Sequence, residues 1–143
     1  RMAPTRLHGI IASRYTASSV PTGLARSEAA ASPCISKAKL VVIPQAGAVG
    51  EWPEWMYEAE VRTAAFQNGY FAALCNRVGE EGALTFAGES FVSDPEGRVL
   101  ARGRSRAEDL VVCDLDFGQC ARSTARRLFF RHRRPDLYRN WPS

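Results

Sequence analysis

The chain has 143 residues, 45% of them hydrophobic, and a formal net charge of +4, which suits one soluble domain able to bury most of its apolar surface. Its longest apolar stretch, around residues 40–43, falls far short of the roughly 20 residues that a membrane-crossing helix needs. Four cysteines at wide, irregular spacings and only two histidines argue against a zinc site, a disulfide framework or any other metal centre, so no metal or cofactor is expected.

Residues 1–36 show no sustained period of 2 or 3.6, and 27–36 is nearly all Ala and Ser with Pro33 near its end. This third reads as an atypical segment, disordered or an artefact of splicing or reading frame, and the opening at Arg1 reads as a truncation. Its Arg, Ser, Ala and Thr content weakly resembles an organelle transit peptide. The unpaired thiols point to a reducing compartment, the cytoplasm, with an organelle left open.

From Lys37 the character changes. KLVVIP at 39–44 is a β-branched run closed by proline, the pattern of a buried strand in an α/β sheet. A Gly- and Ala-rich loop follows at 45–50. Glu51, Trp52, Pro53 and Glu54 then predict a helix entrance, and Tyr57, Val61, Ala64 and Ala65 fall on one helical face, with Glu58, Glu60 and Arg62 elsewhere. The helix should end near Asn68 and Gly69, because glycine tolerates the left-handed backbone that closes many helices. Residues 70–75 supply the next buried strand, completing a strand–helix–strand unit.

A loop carrying Gly79, Gly82 and Gly88 leads into a hairpin: a strand at 90–93, a turn at 94–97 with Pro95 and Gly97 suitably placed, and a return strand at 99–101. Another strand is expected at 109–115. A single helix is predicted over 119–130, with Cys120, Ala121, Ala125 and Leu128 on one side. The end, 133–138, reads as an irregular tail.

In this order, four segments resemble the carbon-nitrogen hydrolases, the nitrilase superfamily: VVIPQA at 41–46; AAFQNGYF at 64–71 running into NRVG at 76–79; GESFVSDPEGRVLA at 88–101; and RRPDLY at 133–138. The last is similar to the tail of members that hydrolyse N-carbamoyl amines, especially N-carbamoylputrescine amidases and β-ureidopropionase-like enzymes. The resemblance implies an α/β fold, the carboxy-terminal half of an αββα four-layer sandwich with a mixed sheet, in a partial domain at 37–143. It also implies a homo-oligomer in the intact member.

The implied activity is hydrolysis of a non-peptide carbon–nitrogen bond in a small amide or carbamoyl amine, releasing ammonia and serving polyamine, pyrimidine-breakdown or amide metabolism. In that chemistry a Cys thiolate attacks the carbonyl carbon, a Glu moves the proton to the departing amine, and a Lys ammonium stabilises the oxyanion. The resemblance places the Cys just upstream of the 40–43 strand, with the Glu and Lys farther upstream. No cysteine stands there. Setting residues 9–13 on the nucleophile strand would put Ser13 in its place, but needs extra residues before Lys37. The chain is therefore expected to lack identifiable catalytic residues and to be inactive alone. The alternative is a non-catalytic homologue acting through subunit contacts.

Cys75 and Cys113 lie in apolar strands and read as inert buried thiols, Cys120 as a packing residue, and Cys34 lies in a segment too poor in structure to organise catalysis. Gln45 and Ala46 stand at the carboxyl end of a central strand, where α/β sheets place ligands, or merely turn the chain. Asn76 and Arg77 either shape that site or tie off the strand. These four are the substrate-side candidates. Trp52 and Trp55 wall a pocket or, more in keeping with aromatics beside a helix entrance, pack in the core. Residues 122–139 hold seven arginines against one acid; with Phe129, Phe130 and Tyr138 they read as a subunit-contact tail, not a nucleic-acid platform.

Overall fold

The computed structural model describes the backbone of residues 6–12 and residues 38–134 with their side chains. Ser13, Cys34 and the tail beyond Arg134 lie outside the described residues. The chain runs β1 (Arg6–Ala12), β2 (Leu40–Gln45), α1 (Met56–Asn68), β3 (Phe71–Asn76), β4 (Val78–Glu81), β5 (Leu84–Ala87), β6 (Phe91–Ser93), β7 (Val99–Arg102), β8 (Leu110–Asp116) and a short α2 (Gly118–Arg122).

The predicted strand–helix–strand unit forms. β2 lies parallel to β3 in the register Leu40↔Phe71 to Gln45↔Asn76. Phe71 N donates to Lys39 O and Arg77 N to Gln45 O, both at 2.9 Å. The β3-facing positions of β2 are therefore the odd-numbered ones, and Pro44, which has no N–H, falls on the outer edge where no ladder bond is lost. β6 and β7 add antiparallel, giving one mixed sheet in the order β2-β3-β6-β7.

Alternation along β3 divides the core between the two faces of this sheet. Ala72 and Leu74 pack with Val61, Ala65 and Phe91 against α1; Phe71 and Ala73 pack with Val92 of the same sheet and with Val111 and Leu115 of the other layer. That second layer is β8 with β1, antiparallel over seven paired positions from Arg6↔Asp116 to Ala12↔Leu110. Helix, mixed sheet and ribbon are stacked as in a partial αββα sandwich. Among the described residues no helix is long and apolar enough to cross a membrane.

α1 begins later than the sequence suggested. Pro53 sits in a preceding turn, its carbonyl accepting from Met56 N at 2.8 Å, and Trp55 precedes the helix without a side-chain cap. The end is as expected. Gly69 has φ 65 and its N–H reaches Ala65 O at 2.9 Å; a Cβ there would lie 2.4 Å from Ser123 Oγ, so both conformation and space require glycine.

Three expectations are corrected. The glycine-containing stretch after Arg77 is a second hairpin, β4–β5, turned at Gly82 with φ 59; its residues are mostly exposed, so no alternation betrayed it. The single helix over 119–130 is broken at Ser123, whose extended backbone (φ −61, ψ 154) ends α2 while its buried hydroxyl donates to Cys120 O at 2.9 Å. A π-helical turn (Ala125–Phe129) and a 3-10 turn (Phe130–His132) follow. The break shifts the phase, so Cys120 and Ala125 are buried but Ala121 and Leu128 are exposed. Finally, β2, expected to be a buried central strand, is an edge strand of the mixed sheet among the described residues, with Val42 (53%) and Pro44 exposed, because α1 covers only the odd-numbered face, where Val41 and Ile43 pack.

Candidate active-site cleft

The carboxyl ends of β2 and β3 are joined through one amide side chain. Asn76 is buried; its Oδ1 accepts from Gly47 N at 2.7 Å and Arg77 N at 3.0 Å, while Nδ2 donates to Gly47 O at 3.3 Å. Ser90 Oγ sits 3.0 Å from Asn76 N as acceptor and 3.3 Å from Asn76 O as donor. Asn76 thus holds the loop after β2 and the entry to β6 in one position. An orphaned polar group would be costly here, and among the described residues every buried side-chain polar atom has a partner.

Beyond this clamp opens a cleft of about 350 Å³. Leu74, Phe91, Trp52 and Tyr57 provide apolar wall, and Asn76 and Ala48 line its strand-end side. Tyr57 stacks on Trp52 at 4.6 Å with the rings 5° apart. Glu51 fastens this wall to the strand-end loop, one carboxylate oxygen accepting from Ala48 N at 3.1 Å and Tyr57 Oη at 2.9 Å. Sequence reasoning took Glu51 only for a helix-entrance acid; the tie depends on a loop geometry with no local signature.

The charged rim centres on Glu58, which pairs with Arg102 of β7 and with Arg62 at 3.0 Å. Arg102 also lies over the Phe91 ring, 5.5 Å from its centre. Hydrogen bonding to Arg102 is the chief reason the Glu58 carboxyl falls below its ordinary value of 4.5, with burial opposing and Arg62 assisting. A carboxylate stabilised in the folded state contributes its full effect above about pH 4.5 and loses it as pH falls through the lower folded value. Glu58→Gln is therefore expected to lower Tm near pH 6, with the gap to the parent narrowing below pH 4.5; a gap constant down to pH 3 would contradict this role.

Of the sequence candidates, Asn76 lines the cleft. Gln45 pairs with Asn76 across the sheet, and its backbone carbonyl accepts from Arg77 N. Ala46 is exposed at the turn. Arg77 turns toward the β4–β5 hairpin, lying 4.2 Å from the centre of the Phe86 ring and pairing with Glu81. The four are neighbours in the backbone, but only one side chain reaches the cavity. Trp52 lines the cleft and Trp55, 64% exposed, borders an adjoining hollow, so Trp55 is not a core residue: it precedes the helix, where no layer covers it.

Among the described residues neither a cysteine nor a lysine lines the cleft, and no group of three metal-ligating side chains could hold an ion. Burial pushes the thiols of Cys75, Cys113 and Cys120 above their usual range, which keeps them protonated and poorly nucleophilic at neutral pH. At the last turn Arg126 and Arg133 stack on Phe130, 4.3 and 3.8 Å from its centre.

A family model described as carbon-nitrogen hydrolase matches residues 37–125. Similar curated proteins include 2-oxoglutaramate amidase of Bacillus subtilis (strain 168), 36% identical over 93 residues, covering 62% of this chain and 35% of that protein. N-carbamoylputrescine amidase of Oryza sativa subsp. japonica is 32% identical over 72 residues, covering 45% of this chain and 24% of its own length. The chain spans about a third or less of these relatives. Among solved structures, the carbon-nitrogen hydrolase from Helicobacter pylori G27 superposes with a TM-score of 0.63 at 29% identity, covering 78% of this chain and 44% of that one. An amidase from Nesterenkonia sp. AN1, captured with the acetamide moiety of fluoroacetamide added covalently at its active site cysteine, superposes with a TM-score of 0.59 at 29% identity, covering 80% and 39%.

Proposed function

Because the chain belongs to the carbon-nitrogen hydrolase family, we propose that it is the carboxy-terminal half of an enzyme that cleaves a non-peptide carbon–nitrogen bond in a simple amide or N-carbamoyl amine, releasing ammonia. The observation that carries this reading is the cleft at the carboxyl ends of two parallel strands, clamped by Asn76 within the matched region. We infer that the Cys, Glu and Lys of the thioester mechanism are not supplied by this chain. The raised thiols of the three described cysteines support that inference, as does the absence of cysteine from the cleft lining. Gln45, Ala46, Asn76 and Arg77 then belong to the substrate side, Asn76 by holding the wall and the others by fixing the backbone beside it. N-carbamoylputrescine remains one substrate of this class, a homo-oligomer the expected assembly of the intact enzyme, and the cytoplasm its expected site.

The test is ammonia release. The full chain alone should release none above buffer from butyramide or N-carbamoylputrescine. Mixed with an amino-terminal polypeptide of the family that carries the nucleophile, it should release ammonia, and alkylating that polypeptide's cysteine beforehand should abolish the rate. Hydrolysis by the chain alone, blocked by thiol alkylation, would return the nucleophile to its own cysteines; a stable but inactive complex would refute the half-enzyme reading.

A further inference from the structure

Within the cleft, the charges divide into those already neutralised and those that are not. Glu58 and Arg102 form an ion pair and Arg62 joins it. Glu54, Glu89 and Arg106 line the same cavity, yet among the described residues none of these three side chains has an ion-pair or hydrogen-bond partner; of the two acids, Glu89 is the one on the loop that pairs with the loop of Arg106. An acid and a base that share a hollow without meeting present separated, complementary charges to whatever enters.

Their backbones set them apart as well. Glu89 (φ 55) and Arg106 (φ 54) are the two non-glycine residues with left-handed backbone among the described residues. Both are held there by the pairing of their loops: Glu89 N donates to Arg104 O at 3.2 Å, Arg106 N to Ala87 O at 2.8 Å, and Gly88 bridges Ser105. A glycine would adopt either conformation more readily. Side chains retained where the backbone disfavours them, both on one cavity wall, point to use in binding.

We propose that Glu89 and Arg106 recognise the far end of the substrate, Glu89 accepting hydrogen bonds from an ammonium and Arg106 donating to a carboxylate. The cleft then takes a small amide bearing an amino-acid headgroup, its methylene chain lying along Leu74 and Phe91. This rests on the amide-hydrolase reading above and narrows it to a substrate class. A volume of about 350 Å³ suits a ligand of that size.

The test compares four probes binding to the full chain, by calorimetry or saturation-transfer NMR: L-glutamine with both charges, glutaramate without the ammonium, 4-aminobutanamide without the carboxylate, and butyramide with neither. Removing either charge should weaken binding by about tenfold or more, the scale of one charge-assisted hydrogen bond. Glu89→Gln should make L-glutamine and glutaramate bind alike, and Arg106→Gln should do the same for L-glutamine and 4-aminobutanamide. Glu89→Gly should leave Tm unchanged or higher while losing the ammonium preference, which separates recognition from folding. Equal binding of all four probes overturns this proposal alone and leaves the amide reading standing. Binding of none overturns it together with the assignment of amides to this cleft, and a preference for L-glutamine that survives both Gln variants overturns the two named residues.

Discussion

Replacing Asn76 by alanine should lower the unfolding free energy by about 2 kcal/mol, measured by urea denaturation, while leaving the far-ultraviolet dichroism of the folded state intact. The side chain is 4% exposed and satisfies two backbone N–H groups and one carbonyl. Its loss leaves Gly47 N without its acceptor, which costs about 1–3 kcal/mol when fully buried, whereas Arg77 N keeps Gln45 O and Gly47 O keeps Ala87 N. The two bonds lost at Arg77 N and Gly47 O add to that cost, and water admitted from the adjoining cleft offsets part of it. Asn76→Asp should not rescue: it keeps the acceptor but loses the donor to Gly47 O and places a charge in a buried site. A loss below about 1 kcal/mol for the alanine variant, the size of one ordinary hydrogen bond, would mean that the strand-end loop does not depend on this clamp. In the complemented enzyme the same variant should also reduce ammonia release.

A larger loss, about 3–5 kcal/mol, is expected for Phe91→Ala. Phe91 is 2% exposed, sits opposite Leu74 and Arg102 in the sheet, and belongs to the cluster packed on α1. Removing the ring opens a cavity beneath the cleft and takes away the surface over which Arg102 lies. Phe91→Leu should cost less, about 1–1.5 kcal/mol, because it keeps most of the apolar volume. The two variants thus distinguish packing from ring-specific effects: equal losses would mean that the aromatic surface under Arg102 matters as much as the volume, and a small loss for both would place Phe91 outside the cooperative core.

Much of the architecture was readable from local pattern. The β-branched run before Pro44, the α1 face of Val61 and Ala65, and Gly69 at its end each depend on neighbours within a few residues, and the structure agrees with them. The ending around 119–130 was misread because Ser123 leaves the helical conformation at a point where it abuts Gly69, more than fifty residues away. Periodicity continues through such a break; only the contact reveals it. The strand at Arg6–Ala12 is likewise selected by pairing with β8 across the whole chain, and a short run carries no mark of so distant a partner.

The candidate site follows the same division. Asn76 could be suspected from its place at a strand end, but its three hydrogen bonds could not, since they require the loop after β2 to return beside β3. Glu89 and Arg106 carry no signal as letters, because a left-handed backbone at a residue other than glycine is imposed by the pairing of two loops.

What the sequence determined by itself was the family, the strand–helix–strand unit with the β6–β7 hairpin after it, and the strand end at which to look, because periodicity, turn chemistry and motif order are properties of neighbouring residues. Only the tertiary structure decided which side chains share the cleft, which charges there are already paired, and which backbone positions are held in disfavoured conformations. Those outcomes depend on distances between residues remote in the chain, where a shift of one position exchanges a buried face for an exposed one.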